Sequence, residues 1–231
     1  MDIFLNKALK SHPDALCFEF GTYKGRTAAL IVQSIGSGSW LHAIDNGNYL
    51  DTAALNQLSE RFTWHQGKSE QFCRENLQDI VGQKQIAFSH HDASHFFDNV
   101  STELQGIFEY MAPSGIIVLD DFNDPYSQVR AAYYYLRYVH QFPFELLVIG
   151  FNKAILVHQE KFDYFEDYVL GDFVNDIEET GILCKLFRTD INIHSRNFFV
   201  AARAANDDPR YGQKFFGDTF YQQSRQILND E

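Results

Sequence analysis

Short apolar runs, each closed by a glycine or an acid and followed by an amphipathic stretch, constrain this chain more than any other feature. A run of that length, apolar at consecutive positions, reads as a strand buried on both faces. Such strands alternating with helices make a parallel sheet covered on both sides. Ala15 to Phe20 is the first, stopped by Gly21. Thr27 to Ile35 is the helix behind it, ended by the Gly36-Ser37-Gly38 turn. Trp40 to Ile44 ends at Asp45 and leads to a helix over Thr52 to Arg61. Thr63 to Gln66 precedes Gly67 and a helix over Ser69 to Asn76. Ile86 to His90 leads into a long helix, Phe97 to Met111, broken by Pro113 and Gly115. Ile116 to Leu119 ends at Asp120 and Asp121, before a helix over Ser127 to His140.

The pattern changes after that. Glu145 to Ile149 and Ala154 to His158 are strands separated only by Gly150-Phe151-Asn152-Lys153, a hairpin spacing, so the sheet is predicted to end antiparallel. Residues 1–158 then form one domain, and residues 159–231 a C-terminal extension. In the extension, Phe162 to Phe173 reads as a helix, Ile191 to Ala202 contains a strand, and Phe215 to Leu228 is helical. A lid, a homo-oligomer arm and a wall of the substrate pocket are all open roles for it.

Composition narrows the partners. The formal net charge of -12 over 231 residues, with scattered Lys and Arg, speaks against nucleic acid, since a net anion is repelled by phosphate. The three cysteines, Cys17, Cys73 and Cys184, include no CxxC pair, which points to a reduced compartment without structural zinc. The N-terminus lacks the pattern of a secretion signal, and no apolar run is long enough to span a bilayer, so a cytoplasmic protein with no membrane partner is expected.

Four segments carry chemistry. Glu19-Phe20-Gly21-Thr22-Tyr23-Lys24-Gly25 follows the first strand, where glycine admits close backbone approach and the next helix offers free N–H groups. Its GxxxG spacing lacks the three glycines that admit a pyrophosphate, which disfavours a nicotinamide-dependent oxidoreductase. Asp45, 26 residues after Glu19, is placed to accept from both hydroxyls of a ribose, or else to cap a turn. His90-His91-Asp92-Ala93-Ser94-His95 and Asp120-Asp121 close the fourth and fifth strands. Three carboxylates converging there repel one another unless a positive charge sits between them. A hard divalent cation, magnesium first, answers that; alternatively Asp92 and Asp120 cap loops and Asp121 is solvated.

The ordered set EFGTYKGRT, HAIDNG, GKSEQF, HHDASH and GIIVLDDF, spanning about Ala15 to His158, resembles S-adenosylmethionine (SAM)-dependent O-methyltransferases of class I. It is most similar to the catechol-type enzymes and to the metal-dependent enzymes that methylate sugars of natural products, including macrocin O-methyltransferase. The resemblance implies a Rossmann-like α/β sandwich with a mostly parallel seven-stranded sheet and a terminal antiparallel hairpin. It implies that Glu19, Gly21 and Tyr23 line the methionine end of SAM, that Asp45 binds the ribose, and that Gly67, Ser69 and Glu70 lie beside the adenine. It implies a divalent cation, Mg2+ first, on Asp92, Asp120 and Asp121, with a small-molecule hydroxyl, phenol or sugar, as methyl acceptor. His95 stands three residues after Asp92, where the catechol-type enzymes have a catalytic lysine, and is the candidate general base. A non-catalytic SAM-fold binding or assembly protein is the alternative. The chain also departs from many relatives in having only about 14 residues before its first strand.

Overall fold

Leu16–Phe20 (β1) is buried at every position, as a strand covered on both faces must be. In the computed structural model, which describes residues 1–189 and 196–204, β1 lies inside the sheet. It is flanked by Trp40–Asp45 (β2) and Ile86–His91 (β4), both parallel to it. Phe62–Gln66 (β3) extends the sheet beyond β2, and Met111–Leu119 (β5) extends it beyond β4, again in parallel. Phe144–Gly150 (β6) and Lys153–His158 (β7) form the expected hairpin, with β7 antiparallel to β5.

Two further strands bring the sheet to nine among the described residues. Phe199–Arg203 (β9) runs parallel to β6, and Cys184–Arg188 (β8) pairs antiparallel with β9. The seven expected strands are thus present in the order β3-β2-β1-β4-β5-β7-β6, and part of the C-terminal segment adds an edge. The helix expected over Phe215 to Leu228 lies outside the described residues.

The helices are α1 (Asp2–Ser11), α2 (Arg26–Ser34), α3 (Thr52–Leu58), α4 (Ser69–Glu75), α5 (Leu77–Val81), α6 (Phe97–Ile107), α7 (Val129–Val139), α8 (Phe162–Gly171) and α9 (Phe173–Glu179). Alternation along β1 divides the core between the two sheet faces. Cys17 packs in the cluster that contains Phe4, Ile31 and Phe165, from α1, α2 and α8. Leu16, Phe18 and Phe20 pack in the cluster that contains Phe72, Leu104 and Tyr133, from α4, α6 and α7. No described helix is long and apolar enough to cross a membrane.

Two local features differ from the sequence expectation. The short segment before β1 holds a helix, α1, which buries Phe4, Leu5, Ala8 and Leu9 on one stripe. β5 begins at Met111, where the sequence pattern continued a helix. Pairing jumps from Ile86↔Met111 to Phe88↔Ile116, so Pro113 sits in an irregular stretch that needs no ladder donor there.

The chain leaves β1 toward β2 and β3, then returns to place β4 on the other side. The crevice beyond the carboxyl ends of β1 and β4 is the switch point at which open α/β sheets bind ligands.

Candidate active site

The rim of the sheet is closed around Gly21. Its N–H donates to the Ile44 carbonyl at 2.8 Å, and its φ is +89°. A Cβ built there would lie 2.0 Å from the Asp92 carbonyl oxygen, so the loop after β1 and the loop after β4 touch backbone to backbone. Only glycine permits both the conformation and the approach. The turn continues through Tyr23, at φ 46°, and reaches Gly25 at φ 82°, which opens α2.

A cleft of about 550 Å³ lies beside this turn, with Gly21, Tyr23, Asp45, Gly67, Ser69 and Glu70 all in its wall. Asp45 accepts from the Tyr23 N–H at 2.7 Å through Oδ2 and from the Gly47 N–H at 2.8 Å through Oδ1. It therefore ties two loops together while facing the cleft. Tyr23 and Tyr49 pack with ring centroids 5.3 Å apart, and both line the cleft from exposed positions.

Glu19 lines an adjoining cavity of about 580 Å³, which shares Gly21, Tyr23 and Asp92 with the first and adds Asp120 and Lys153. The Glu19 side chain is 1% exposed, and its Oε2 has no hydrogen-bond partner. Burial pushes its carboxyl well above the usual range, with the Asp92 and Asp45 charges adding and the Thr22 and Thr27 hydroxyls opposing. Oε1 is 3.7 Å from His90 Nδ1, and a buried acid with its other oxygen unpartnered at a ligand cleft fits an ammonium group of a ligand, as the amino-acid end of SAM carries.

The acids gather as the sequence order implied, with one exchange. His90, Asp92 and Asp120 each offer a ligand atom, and those atoms lie within 4.8 Å of one another. Asp121 is not in that group. Its backbone turns to φ 51°, and its carboxylate takes the His95 Nδ1 at 3.0 Å and the Asn152 side-chain N–H. His90, which the sequence placed inside the strand, is there and fully buried. Burial first, then the Lys153 charge, lowers its pKa to about 3, so it is neutral and has a lone pair to offer.

The positive charge that the acids require comes partly from the chain itself. Lys153 Nζ is 2.8 Å from Asp120 Oδ2 and 3.3 Å from His90 Nε2. Burial would raise the Asp120 pKa, but the lysine outweighs it and holds the carboxyl below its usual value. Asp92 is raised by burial, with the Asp120 charge adding. The His95 pKa is raised, most by Asp92, against part-burial, with Asp121 and Asp120 adding. His95 Nε2 is 3.5 Å from Asp92 Oδ1 and has no hydrogen bond. Its loop is tethered to the start of α7, since the Gln128 N–H donates to the His95 carbonyl at 2.9 Å and the Gln128 amide oxygen accepts from Phe97.

Ser69 is less free than the sequence implied. Its hydroxyl donates to Glu103, whose other oxygen takes the His91 Nδ1 at 2.8 Å. His91 Nε2 lies 3.2 Å from the Ser89 hydroxyl. This buried network joins the start of α4, which walls the cleft, to α6 and to the end of β4, one residue before Asp92. Glu103→Ala would leave His91 buried without its acid and is expected to cost about 3 kcal/mol of stability. Chemical denaturation measures this; a loss below about 1 kcal/mol would mean that water replaces the carboxylate.

Sequence reasoning missed Lys153 and Glu103. The lysine had a legible signal. A hairpin strand returning antiparallel beside β5 starts at the rim, and the register Leu119↔Ala154 puts the preceding residue next to Asp120. Glu103 reads on sequence as an ordinary helix acid and gave none.

Residues 18–122 match the family described as methyltransferase domain. Comparison with the sequences of curated proteins finds no match. Among solved structures, the calicheamicin methyltransferase CalS11 superposes with a TM-score of 0.52 at 14% identity, over 68% of this chain and 76% of that one. The O-methyltransferase NovP superposes with a TM-score of 0.54 at 11% identity, over 68% of this chain and 77% of that one. At such identities the likeness is one of fold, and the Rossmann-like methyltransferase architecture is established by it.

Proposed function

We propose, from the match of residues 18–122 to a methyltransferase domain, that this chain moves the methyl group of SAM to a hydroxyl oxygen of a small molecule. The observation that carries the reading is the shared wall. Gly21 and Tyr23 of the cofactor loop line one cavity with Glu19, Asp92, Asp120 and Lys153. Solved structures with this fold include an enzyme described as a calicheamicin methyltransferase and one described as an O-methyltransferase, which supports an oxygen acceptor.

Bound SAM supplies a methyl group on a sulfonium leaving group, so the protein has mainly to position and desolvate. Glu19 would receive the cofactor's ammonium, Asp45 its ribose hydroxyls, and the segment from Gly67 to Glu70 its adenine. A divalent cation, Mg2+ first, would be held by Asp92 and Asp120, with His90 as third donor in this arrangement, and would lower the pKa of the acceptor hydroxyl. His95 takes the hydroxyl proton. Asp121 stands 3.0 Å from its Nδ1 and Asp92 3.5 Å from its Nε2, and these carboxylates stabilise the imidazolium that forms.

Methyl-labelled SAM, supplied with a panel of phenols and sugars, tests the reading. Label is expected on an acceptor oxygen, and chelation of divalent ions is expected to lower the rate by about a hundredfold or more, as loss of a Lewis acid does. An undiminished rate under chelation would remove the cation and leave Lys153 as the acids' counter-charge. SAM binding without transfer to any acceptor would favour the non-catalytic binder.

A further inference from the structure

A third cavity, of about 360 Å³, opens on the far side of Lys153. Lys153 is in its wall and also in the wall of the cavity that holds Asp92 and Asp120, so one side chain borders both spaces. Most of the remaining wall is hydrocarbon, with Asp2, Thr180 and Arg203 as its polar members. Ile3 and Phe4 come from α1, Ile155 from β7, Phe173 and Ile177 from α9, and Phe151 from the hairpin turn. Gly150, also in the wall, pairs with Ala201 of β9, and a Cβ there would lie 2.6 Å from the Ala201 carbonyl oxygen, so a side chain has no room.

Two of its apolar side chains are left facing solvent. Phe151 is 44% exposed, and Ile182, beyond α9, is 37% exposed. Phe151 holds this place against its backbone preference. It sits at φ 52°, followed by Asn152 at φ 65°, which makes a two-residue turn with both central positions left-handed. Glycine and asparagine favour that turn, whereas a bulky aromatic is strained there by roughly 1–2 kcal/mol. A phenyl ring kept exposed in a strained turn at the mouth of an apolar cavity is the kind of exception that a ligand clamp explains and packing does not.

We propose that this cavity is the subsite for a non-reacting hydrocarbon portion of the methyl acceptor. The acceptor is then a hydroxylated molecule with an apolar body. Its hydroxyl lies on the Asp120 side of Lys153 and its hydrocarbon body on the Phe151 side. A free sugar is the poorer occupant, because the apolar members of the wall outnumber Asp2, Lys153, Thr180 and Arg203 and would leave most of its hydroxyls without partners. The inference rests on the methyl-transfer reading for which end of the acceptor reacts, and on the cavity alone for what the other end is.

Titration calorimetry with β-naphthol, run with and without SAM, tests it, with methyl glucoside as the polar control. Wild-type protein is expected to bind β-naphthol and not the glucoside. Phe151→Gly relaxes the turn, so its melting temperature should hold or rise while its β-naphthol affinity falls about tenfold or more. Ile182→Ser should weaken β-naphthol binding in the same direction, and both variants should bind SAM as the wild type does. Failure of β-naphthol to bind, preference for the glucoside, or equal β-naphthol affinity in wild type and Phe151→Gly would overturn the subsite. Failure to bind SAM would sink the methyl-transfer reading and leave the β-naphthol result legible on its own.

Discussion

Gly21→Ala is expected to abolish measurable SAM binding and to lower stability by about 3 kcal/mol or more. Two costs combine at this position. A side chain at φ +89° strains the backbone by roughly 1–2 kcal/mol. The new Cβ would also fall 2.0 Å from the Asp92 carbonyl oxygen and 2.4 Å from the Ala93 nitrogen. Those are backbone atoms, so no rotamer change relieves the contact; the end of β1 or the loop after β4 must move. Either movement pulls apart the walls of the cofactor cleft and displaces Asp92 with them. A thermal melt and a SAM titration on the purified variant measure both effects. A variant that melts like the wild type and binds SAM would mean that the two loops are not held in contact.

Asp120→Ala is expected to reduce methyl transfer by a factor of about a thousand or more while SAM affinity changes less than about twofold. The carboxylate stands 2.8 Å from Lys153 and belongs to the group of donors that converge with Asp92 and His90. It is absent from the wall of the cleft that Asp45 and Gly67 line. An effect on rate without an effect on cofactor affinity is the signature of a group that acts on the reacting hydroxyl. Single-turnover rates with labelled SAM, beside calorimetry, separate the two quantities. Loss of SAM affinity equal to the loss of rate would make Asp120 a cofactor-loop residue instead.

The first seven strands were legible because most of the apolar runs close at a residue whose chemistry marks the rim. Gly21, Asp45, Gly67, Asp92 and Asp120 all stand at or just past a strand end. Strand parity then put them on one edge of the sheet. What the sequence concealed follows from chemistry without a pattern. α1 has a buried stripe of only Phe4, Leu5, Ala8 and Leu9, too short for periodicity to announce it. β8 is an edge strand with mixed burial and lacks the continuous apolar run that marked β1 and β4, whereas β9 overlaps the stretch Ile191 to Ala202 in which a strand was expected. In the site, spacing treated Asp120 and Asp121 as equivalent. The left-handed turn at Asp121 separates them, sending one carboxylate toward Lys153 and the other toward His95. The side chains of consecutive residues diverge at such a turn, and no motif records which way each goes.

The central claim is that the crevice beside Gly21 is a SAM site, and titration calorimetry of the wild-type protein with SAM addresses it most directly. One SAM per chain, with a dissociation constant on the order of micromolar and displaced by S-adenosylhomocysteine, is the result expected. No heat of binding from a folded, monodisperse sample, up to roughly millimolar SAM, would contradict the account at its base.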